Sequence, residues 1–345
     1  MDGPPLTQRH GSPKTSAHHR RILALRVFVS VALLGFLLSK AGIHRLGRTL
    51  SDASIPWLLL GLGIGCAAKA AQVTQWHGLL RAVGLRRTWL RCARLDCAGN
   101  ALDAALPTSI GGDIVRAFYA GVGIERVAAA TSVVLRRVCN LPGLVLIMGC
   151  TTLADLPNAY AGRITPYAAI GAAGGAAIVA VFTTPLLPAL LRSRWLRGPK
   201  LGSIASKIHD AISMVRGRQL VVASARGVQF WLLVSASQYC FMRGVGIHVP
   251  IVYAALVVTT VNAISLLPIS VGGYGLREGA FSAFLAVHGF ATAAQGVAVG
   301  VCLTAQTLLL GLLGLPLLIS LRRQATEAVR APIDLREVSV RESVA

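Results

Sequence analysis

Two short segments of the chain share a pattern of residue types that could bind an anion. Residues 106–116 read LPTSIGGDIVR and residues 267–277 read LPISVGGYGLR, so both fit Leu-Pro-x-Ser-x-Gly-Gly-x-x-x-Arg at a constant offset of 161. Arginine can bind a phosphate through two parallel hydrogen bonds, and a helix N-terminus attracts anions. The pattern predicts that eight residues bind a phosphate, such as that of a lipid headgroup: Ser109, Gly111, Gly112, Arg116, Ser270, Gly272, Gly273 and Arg277.

The same two segments should interrupt a helix. Pro107 and Pro268 stop an incoming helix, and the paired glycines and Gly275 permit unusual backbone geometry or close approach. Serine is a good N-cap, so a new helix that carries the arginine should follow. The expected structure is a broken or re-entrant helix, which a membrane tolerates only when it is buried in protein or lines a wet cavity. The alternative is that the duplicated breaks serve packing alone.

Acidic residues at the start of these new helices are candidates for gating or coupling. Asp113 and Glu278 follow the two glycine pairs, where the helix dipole favours a carboxylate. Either residue could cap its helix, and Glu278 could instead be a proton-titrating gate. Alternatively, Arg116 and Arg277 could each pair with one of these acids and stabilise the fold rather than bind phosphate.

Three basic residues inside apolar stretches are further candidates for gating or coupling. Lys69 could face a cavity or extend to the membrane surface. Arg136 and Arg137 could be buried cavity charges or anchors at the cytoplasmic edge. The apolar stretch that begins at Val138 barely reaches the minimum span length of about 17 residues, so the helix is expected to include both arginines.

Other kinds of chemistry find no support in the sequence. It contains no Ser/His/Asp set, no P-loop and no pair of catalytic carboxylates, so an enzyme is not expected. Its 7 cysteines are scattered without a CxxC or Cys/His cluster, so no metal site and no cofactor are predicted.

The composition indicates that membrane helices hold these residues in place. Of 345 residues, 54% are hydrophobic and only 14% are charged, against about 25% charged in soluble domains. Leu/Ala/Gly/Val-rich blocks alternate with polar loops, and they lack the period-two pattern of strands. The predicted fold is an all-α integral membrane protein with about eight membrane helices, roughly six spans plus two re-entrant hairpins. The apolar blocks cover approximately 22–38, 55–76, 96–106, 127–154, 166–191, 219–241, 250–267, 279–289 and 292–319.

Two blocks are too short for secure spans. The block before Pro107 holds Asp96, Asn100 and Asp103, and the block after Gly275 ends near His288. If the two motifs lie at the tips of hairpins, three crossings separate them. An odd number of crossings predicts an inverted repeat, the arrangement that many transporters build around a central site. If both hairpins cross the membrane, the chain has eight spans.

Loop charges predict the orientation of the chain. The net charge is +21, and the basic residues crowd the loops at 81–94 and 192–218 and the segment after the last block. The positive-inside rule places these loops and both termini in the cytoplasm, although the basic loop at 40–54 breaks the pattern. Residues 1–19 should form a disordered cytoplasmic segment, residues 20–320 the transmembrane domain, and residues 321–345 a charged cytoplasmic tail. The expected location is the plasma membrane. The positive net charge indicates contact with anionic lipid rather than with nucleic acid.

The two motifs resemble the flippase-like membrane domain of lysylphosphatidylglycerol synthases. The segment PISVGGYGLREGAF carries the Gly-Gly-x-Gly-x-x-Glu pattern of that family, and LPTSIGGDIVRA carries its proline-to-arginine segment. The resemblance implies a protein that moves a phospholipid or a lipid-linked intermediate between leaflets. Alternatives are an accessory subunit or transferase acting on polyprenyl- or diacyl-lipids, and a non-transporting scaffold. The implied partners are membrane lipids with anionic headgroups, with a lipid-modifying enzyme as a further candidate, and the oligomeric state is left open.

The sequence departs from the family pattern in two places. Val271 stands where many members have a proline, and residues 136–140 (Arg-Arg-Val-Cys-Asn) lack an acid pair that is common after the first motif. If that acid pair couples transport to protons, such coupling is in question for this chain.

Overall fold

The computed structural model of the chain describes residues 42–105, 111–155, 217–265, 273–287 and 289–330, with single positions among 28–39 and 166–176 and at 215. All regular structure in these ranges is helical. The helices are α1 (Ile43–Ser51), α2 (Ile55–Ala82), α3 (Trp89–Ala105), α4 (Gly111–Ala120), α5 (Glu125–Asp155), α6 (Gly217–Gly244), α7 (Ile251–Ser265), α8 (Leu276–Ala286) and α9 (Ala293–Arg330).

Four of these helices are long and apolar enough to cross a membrane. They are α2, α5 over Glu125–Ala154, α6, and α9 over Ala293–Leu317. Helix α7 is apolar but shorter, at 15 residues. The prediction of a helical, multi-pass membrane protein is therefore confirmed. The predicted total of about eight membrane helices stays a prediction, since the blocks at 22–38 and 166–191 lie mostly outside the described residues.

The helices extend beyond the apolar blocks that predicted them. Helix α2 continues from residue 76 to Ala82, and α3 begins at Trp89 rather than near residue 96. The added turns carry Arg81, Arg91 and Arg94, which are exposed. An apolar block marks only the part of a helix in hydrocarbon, whereas the helix itself can continue where long basic side chains reach water. Helix α5 includes Arg136 and Arg137, as expected.

Helices α2 and α6 pack side by side in opposite directions. Gln75 near the end of α2 donates to the carbonyl oxygen of Ala223 near the start of α6 at 2.8 Å. The amide of Ser54, before α2, donates to the carbonyl oxygen of Gly244 at 2.8 Å. These contacts define two ends of the molecule. The basic end is where α2 finishes and the loop 83–88 lies, and the opposite end is where α2 begins.

Helices α5 and α9 complete the set of long helices. An ion pair between Arg87 and Glu125, with Nη2 and Oε2 2.5 Å apart, places the start of α5 at the basic end. The side-chain amide of Gln295 donates to the carbonyl oxygen of Val245 at 3.2 Å, which places the start of α9 at the opposite end. Helices α5 and α6 thus run from the basic end to the opposite end, and α2 and α9 run the other way.

The shorter helices form two pairs. Arg87 Nε donates to the carbonyl oxygen of Ala120 at 2.8 Å, so the end of α4 lies beside the start of α3 at the basic end. Tyr253 Oη, in the first turn of α7, donates to the carbonyl oxygen of Phe284 in α8 at 2.8 Å, at the opposite end. The lengths are 17 and 10 residues in the first pair and 15 and 11 in the second. Each helix is shorter than the about 20 residues that a span requires.

Glycine allows two of the long helices to approach closely. A Cβ atom on Gly143 of α5 would lie 2.7 Å from the backbone of Gly227 in α6. Small residues at such a crossing let helix backbones pack directly, which is a common way for membrane helices to associate. Trp231 strengthens the same contact, because its Nε1 donates to the carbonyl oxygen of Asn140 at 3.0 Å.

Candidate functional site

A buried ionic cluster joins α3 and α4. Arg116, on α4, has a side chain only 3% exposed, and its guanidinium contacts carboxylates from both helices. Arg116 Nε donates to Asp96 Oδ1 at 2.9 Å, and Nη1 donates to Asp103 Oδ2 at 3.1 Å and to Asp113 Oδ1 at 3.0 Å. Nη2 donates to Asn100 Oδ1 at 2.7 Å. Every nitrogen of this guanidinium therefore has a protein partner.

The arginines of α5 extend the cluster to a third helix. Arg136 Nη1 donates to Asp96 Oδ1 at 2.7 Å, and Arg136 is buried with 6% of its surface exposed. Arg137 Nε donates to Asp113 Oδ2 at 2.6 Å, although half of the Arg137 side chain is exposed. Arg136 is thus a buried charge, and Arg137 lies at the edge of the ionic cluster. Asp113 pairs with arginines of both α4 and α5. Its position at the start of α4 had instead suggested that it caps that helix.

The acceptors of α3 lie on one face of that helix because of their spacing. Asp96, Asn100 and Asp103 are separated by four and three residues, which places them one above the other. The two helices can approach because Gly99 and Gly112 lack side chains. A Cβ on Gly112 would collide with the carboxylate of Asp103, which accepts a hydrogen bond from Gly112 N at 2.8 Å. Buried charges are costly unless paired, so the cluster holds α3, α4 and α5 in one arrangement.

Next to this cluster is a cavity of about 210 Å³ between α2, α6, α9 and both short pairs. Two cationic residues line it, Lys69 of α2 and Arg277 of α8. Asp103 and Asn100 border it from the first short pair, and Asn262 borders it from the second. Both short helix pairs therefore border one cavity, although Arg277 is the one residue of the two described motif segments that lines it. The rest of the wall is partly apolar, with Phe230, Trp231, Val234, Leu303 and Leu310, and partly polar, with Ser237, Gln238, Gln306 and Thr307.

Arg277 is held differently from Arg116. Its Nη2 donates to Thr304 Oγ1 at 2.9 Å, and Thr304 Oγ1 donates to Glu278 Oε1 at 3.0 Å. Arg277 and Glu278 themselves approach only to 3.9 Å. The Nε of Arg277 is buried and has no hydrogen-bond partner among the described residues. Arg277 is thus a cation at the cavity wall with donor capacity left over.

Glu278 caps its own helix. Its Oε2 accepts a hydrogen bond from the amide of Gly275 at 2.7 Å, and its side chain is 3% exposed. Gly275 has φ 80°, a left-handed backbone that other residues adopt only with strain, so it breaks the chain before α8 as predicted. Gly273 has φ 81° and lies in the same turn. This turn fixes the position from which Arg277 reaches the cavity.

Lys69 reaches the cavity from α2. Its Nζ donates to Gln72 Oε1 at 3.2 Å and to Asn100 Oδ1 at 3.4 Å, and it makes no ion pair with a described carboxylate. Since Asn100 also accepts from Arg116 at 2.7 Å, this amide oxygen links the cavity lysine to the ionic cluster.

The two glycine pairs are described only in part. Gly111 and Gly112 begin α4 and are buried, and Gly273 precedes α8. The remaining predicted motif residues lie outside the described residues: Pro107, Ser109, Pro268, Ser270 and Gly272.

Several residues that build the site were not assigned a role from the sequence. Asp96, Asn100 and Asp103 were noticed only as polar interruptions of a short block, although their one-face spacing was a usable signal. Gln238 and Gln306 also line the cavity. Both could have been found from the sequence, because an amide inside an otherwise apolar membrane helix needs a hydrogen-bond partner in hydrocarbon.

Four helices of membrane-spanning length, three of which line a charged, partly polar cavity, define a multi-pass membrane protein. The chain belongs to the family of the lysylphosphatidylglycerol synthase TM region, whose sequence model matches residues 23–314. This membership links the protein to lipid metabolism or transport. No curated protein matches the sequence.

Proposed function

We propose that the protein is a flippase-like transporter that moves a lipid with an anionic headgroup between the leaflets of the membrane. This proposal rests on the cavity, whose wall contains Lys69 from the first half of the chain and Arg277 from the second. A charged side chain at membrane depth is energetically costly, so its presence there points to a function. The Nε of Arg277 has no hydrogen-bond partner among the described residues, and its guanidinium is a group that binds phosphate well.

The size of the cavity supports binding of a headgroup rather than of a whole lipid. Its volume of about 210 Å³ is below the about 300–1,000 Å³ of pockets that enclose drug-sized ligands. A phosphate with a small substituent fits such a space, and two acyl chains do not. The tails would remain in the bilayer while the headgroup passes between the helices.

The short helix pairs support an inverted arrangement. We infer that α3–α4 and α7–α8 are re-entrant hairpins, since each pair begins and ends at one end of the molecule. The first pair belongs to the basic end and the second to the opposite end. Transporters with inverted repeats expose a central site alternately to the two sides. The cavity lies where both hairpins contribute residues, as that mechanism requires.

The geometry favours different roles for the two motif arginines. Arg116 is enclosed by Asp96, Asp103 and Asp113, so its charge is already neutralised and a phosphate would have to displace a carboxylate. We assign Arg116 to positioning α3 against α4, and Arg277 with Lys69 to the headgroup. The basic end would face the cytoplasm of the plasma membrane, following the positive-inside rule. Transport needs no catalytic residue in this scheme, and the partner is the lipid itself.

The test is translocation of labelled anionic lipid in proteoliposomes. Wild-type protein should move the lipid faster than protein-free vesicles, and Arg277→Ala and Lys69→Ala should each slow this at least about tenfold, since one charge-assisted hydrogen bond contributes about 1.5–3 kcal/mol. Arg226→Ala is the matched control, because Arg226 is exposed on α6 and, within the described part of the chain, its side chain bonds only Gln229. Wild-type rates equal to those of protein-free vesicles would refute the proposal. Rates insensitive to both cavity cations would refute the assigned site.

A further inference from the structure

A second cavity, the α3–α9 groove, lies apart from the central cavity that Lys69 and Arg277 line. Its volume is about 390 Å³, within the about 300–1,000 Å³ of small-ligand pockets. The groove is lined by Thr88, Leu90, Arg91, Arg94, Leu95, Leu317 and Ser320. The two helices touch where a Cβ on Gly314 of α9 would collide with the carbonyl oxygen of Cys97 in α3. Since α3 begins and α9 ends at the basic end, the groove opens from this contact toward that end.

The α3–α9 groove lies at the level where the hydrocarbon meets the headgroup layer. Leu317 is the last residue of the apolar span of α9, and Ser320 lies one turn beyond it. Trp89, at the start of α3, is 43% exposed, and tryptophan is enriched at membrane–water interfaces. A ligand in the groove can therefore have one part in water and another among the acyl chains.

Two arginines give the groove a charge that the described residues do not neutralise. Arg91 and Arg94 are exposed and lie one turn apart on α3, and no described carboxylate borders the groove. Arg91 Nη2 donates to the carbonyl oxygen of Tyr119 at 3.5 Å, whereas the nearby Arg87 has a carboxylate partner in Glu125. Like charges one turn apart on a helix repel each other. An anion bound between the two guanidinium groups would offset this repulsion.

The rest of the groove wall is suited to a lipid. Leu90, Leu95 and Leu317 are apolar, and Thr88 and Ser320 carry hydroxyl groups. From this combination we infer that the groove binds an anionic phospholipid of the leaflet at the basic end, which stays with the protein and is not transported.

Each part of such a lipid has a counterpart in the groove. The two arginines can bind its phosphate through charge-assisted hydrogen bonds, and the leucines can contact its acyl chains. Basic pockets between membrane helices on the cytoplasmic side are known to bind lipid headgroups. Because the bound lipid would contact both α3 and α9, it would hold the first short pair against the last long helix. The inference does not depend on transport.

The first test uses the unaltered chain in detergent and counts bound lipids by native mass spectrometry. Phosphatidylglycerol and phosphatidic acid should bind at least about tenfold more tightly than phosphatidylcholine of equal acyl chains, because the choline charge opposes the two arginines. Glycerol phosphate has the charge but no acyl chain, so it should not displace the lipid. Equally tight binding of phosphatidylcholine would overturn the inference, as would displacement by glycerol phosphate at a concentration similar to that of the lipid.

Charge removal assigns the bound lipid to the groove. The double variant Arg91→Gln/Arg94→Gln should bind phosphatidylglycerol at least about tenfold more weakly, since hydrogen bonds to charged groups are lost. Arg81→Gln/Arg86→Gln is the matched control, because both residues are exposed near the same end and lie outside the groove. An equal loss of binding in the two double variants would indicate general attraction to a basic surface and would overturn the site.

A variant that keeps both arginines tests the groove as a space. Ser320→Trp should fill the groove and exclude the lipid, whereas Ile319→Trp, at an exposed position outside it, should retain the lipid. Retention by Ser320→Trp would overturn the inference. Arg277→Ala alters the central cavity and should also retain the lipid. Loss of the lipid in Arg277→Ala, with retention in the variant lacking Arg91 and Arg94, would place it in the central cavity and refute the groove site.

Discussion

Arg116 and Asp96 form a buried ion pair, with Nε and Oδ1 2.9 Å apart and neither side chain more than 3% exposed. The equivalent arginine of the second motif, Arg277, has no comparably close carboxylate among the described residues and lines a cavity instead. The chain thus uses the same motif residue in two ways. One copy stabilises the packing of α3, α4 and α5, and the other places a cation at the cavity wall.

Replacing Asp96 should strongly destabilise the protein. Asp96→Asn removes the charge that both Arg116 and Arg136 contact, and loss of one partner of a buried pair costs about 3–5 kcal/mol. The measurement is the free energy of unfolding in detergent. Glu125→Gln is the control, since Glu125 pairs with Arg87 at the surface and such pairs contribute about 0–1 kcal/mol. Equal destabilisation by the two substitutions would contradict the structural role of the cluster.

A side chain at Gly112 should separate α3 from α4. Gly112→Ala places a Cβ against the Asp103 carboxylate and the Gly99 carbonyl oxygen, and overpacking of this kind costs about 1–3 kcal/mol. Thermal unfolding in detergent measures the loss. Gly149→Ala in α5 has no atom within 4 Å of the added carbon, so it should be neutral or slightly stabilising. An unchanged melting temperature for Gly112→Ala would mean that the two helices are not in contact at this point.

Filling the cavity should stop transport without unfolding the protein. Gly65 borders the cavity and Gly63, two residues earlier on α2, is exposed with no atom near its missing Cβ. Gly65→Leu should displace Gln306, occupy the space of the headgroup and reduce lipid translocation to the protein-free rate. Gly63→Leu adds the same side chain toward the lipid and should leave the rate near that of wild type. Similar rates in both variants would argue against a headgroup path through this cavity.

The orientation of the chain can be tested by labelling single cysteines. In a chain with its 7 native cysteines replaced, His248→Cys should react with a membrane-impermeant maleimide in intact cells. Arg86→Cys, which lies at the basic end, should react only after permeabilisation. Both positions are exposed, so the difference reports sidedness rather than burial. The reverse pattern would place the basic end outside.

The sequence by itself determined the class of the protein. Blocks of apolar residues long enough to cross a bilayer, with few charges, leave helices as the only plausible spanning structure. The repeated motif at a fixed offset led to the correct family, and it marked Gly275 as a helix break. These are local features, because the length of an apolar run or the conformational freedom of glycine depends only on adjacent residues.

The tertiary structure alone decided what each charged residue contacts. Arg116 of α4 meets Asp96 and Asp103 of α3, and Arg277 of α8 meets Thr304 of α9. The two motifs carry the same arginine, so no pattern inside them could distinguish an arginine enclosed by carboxylates from one open to a cavity. That difference depends on which neighbouring helix packs against each motif, and the electrostatic environment of a buried charge is set by such contacts rather than by its place in the sequence.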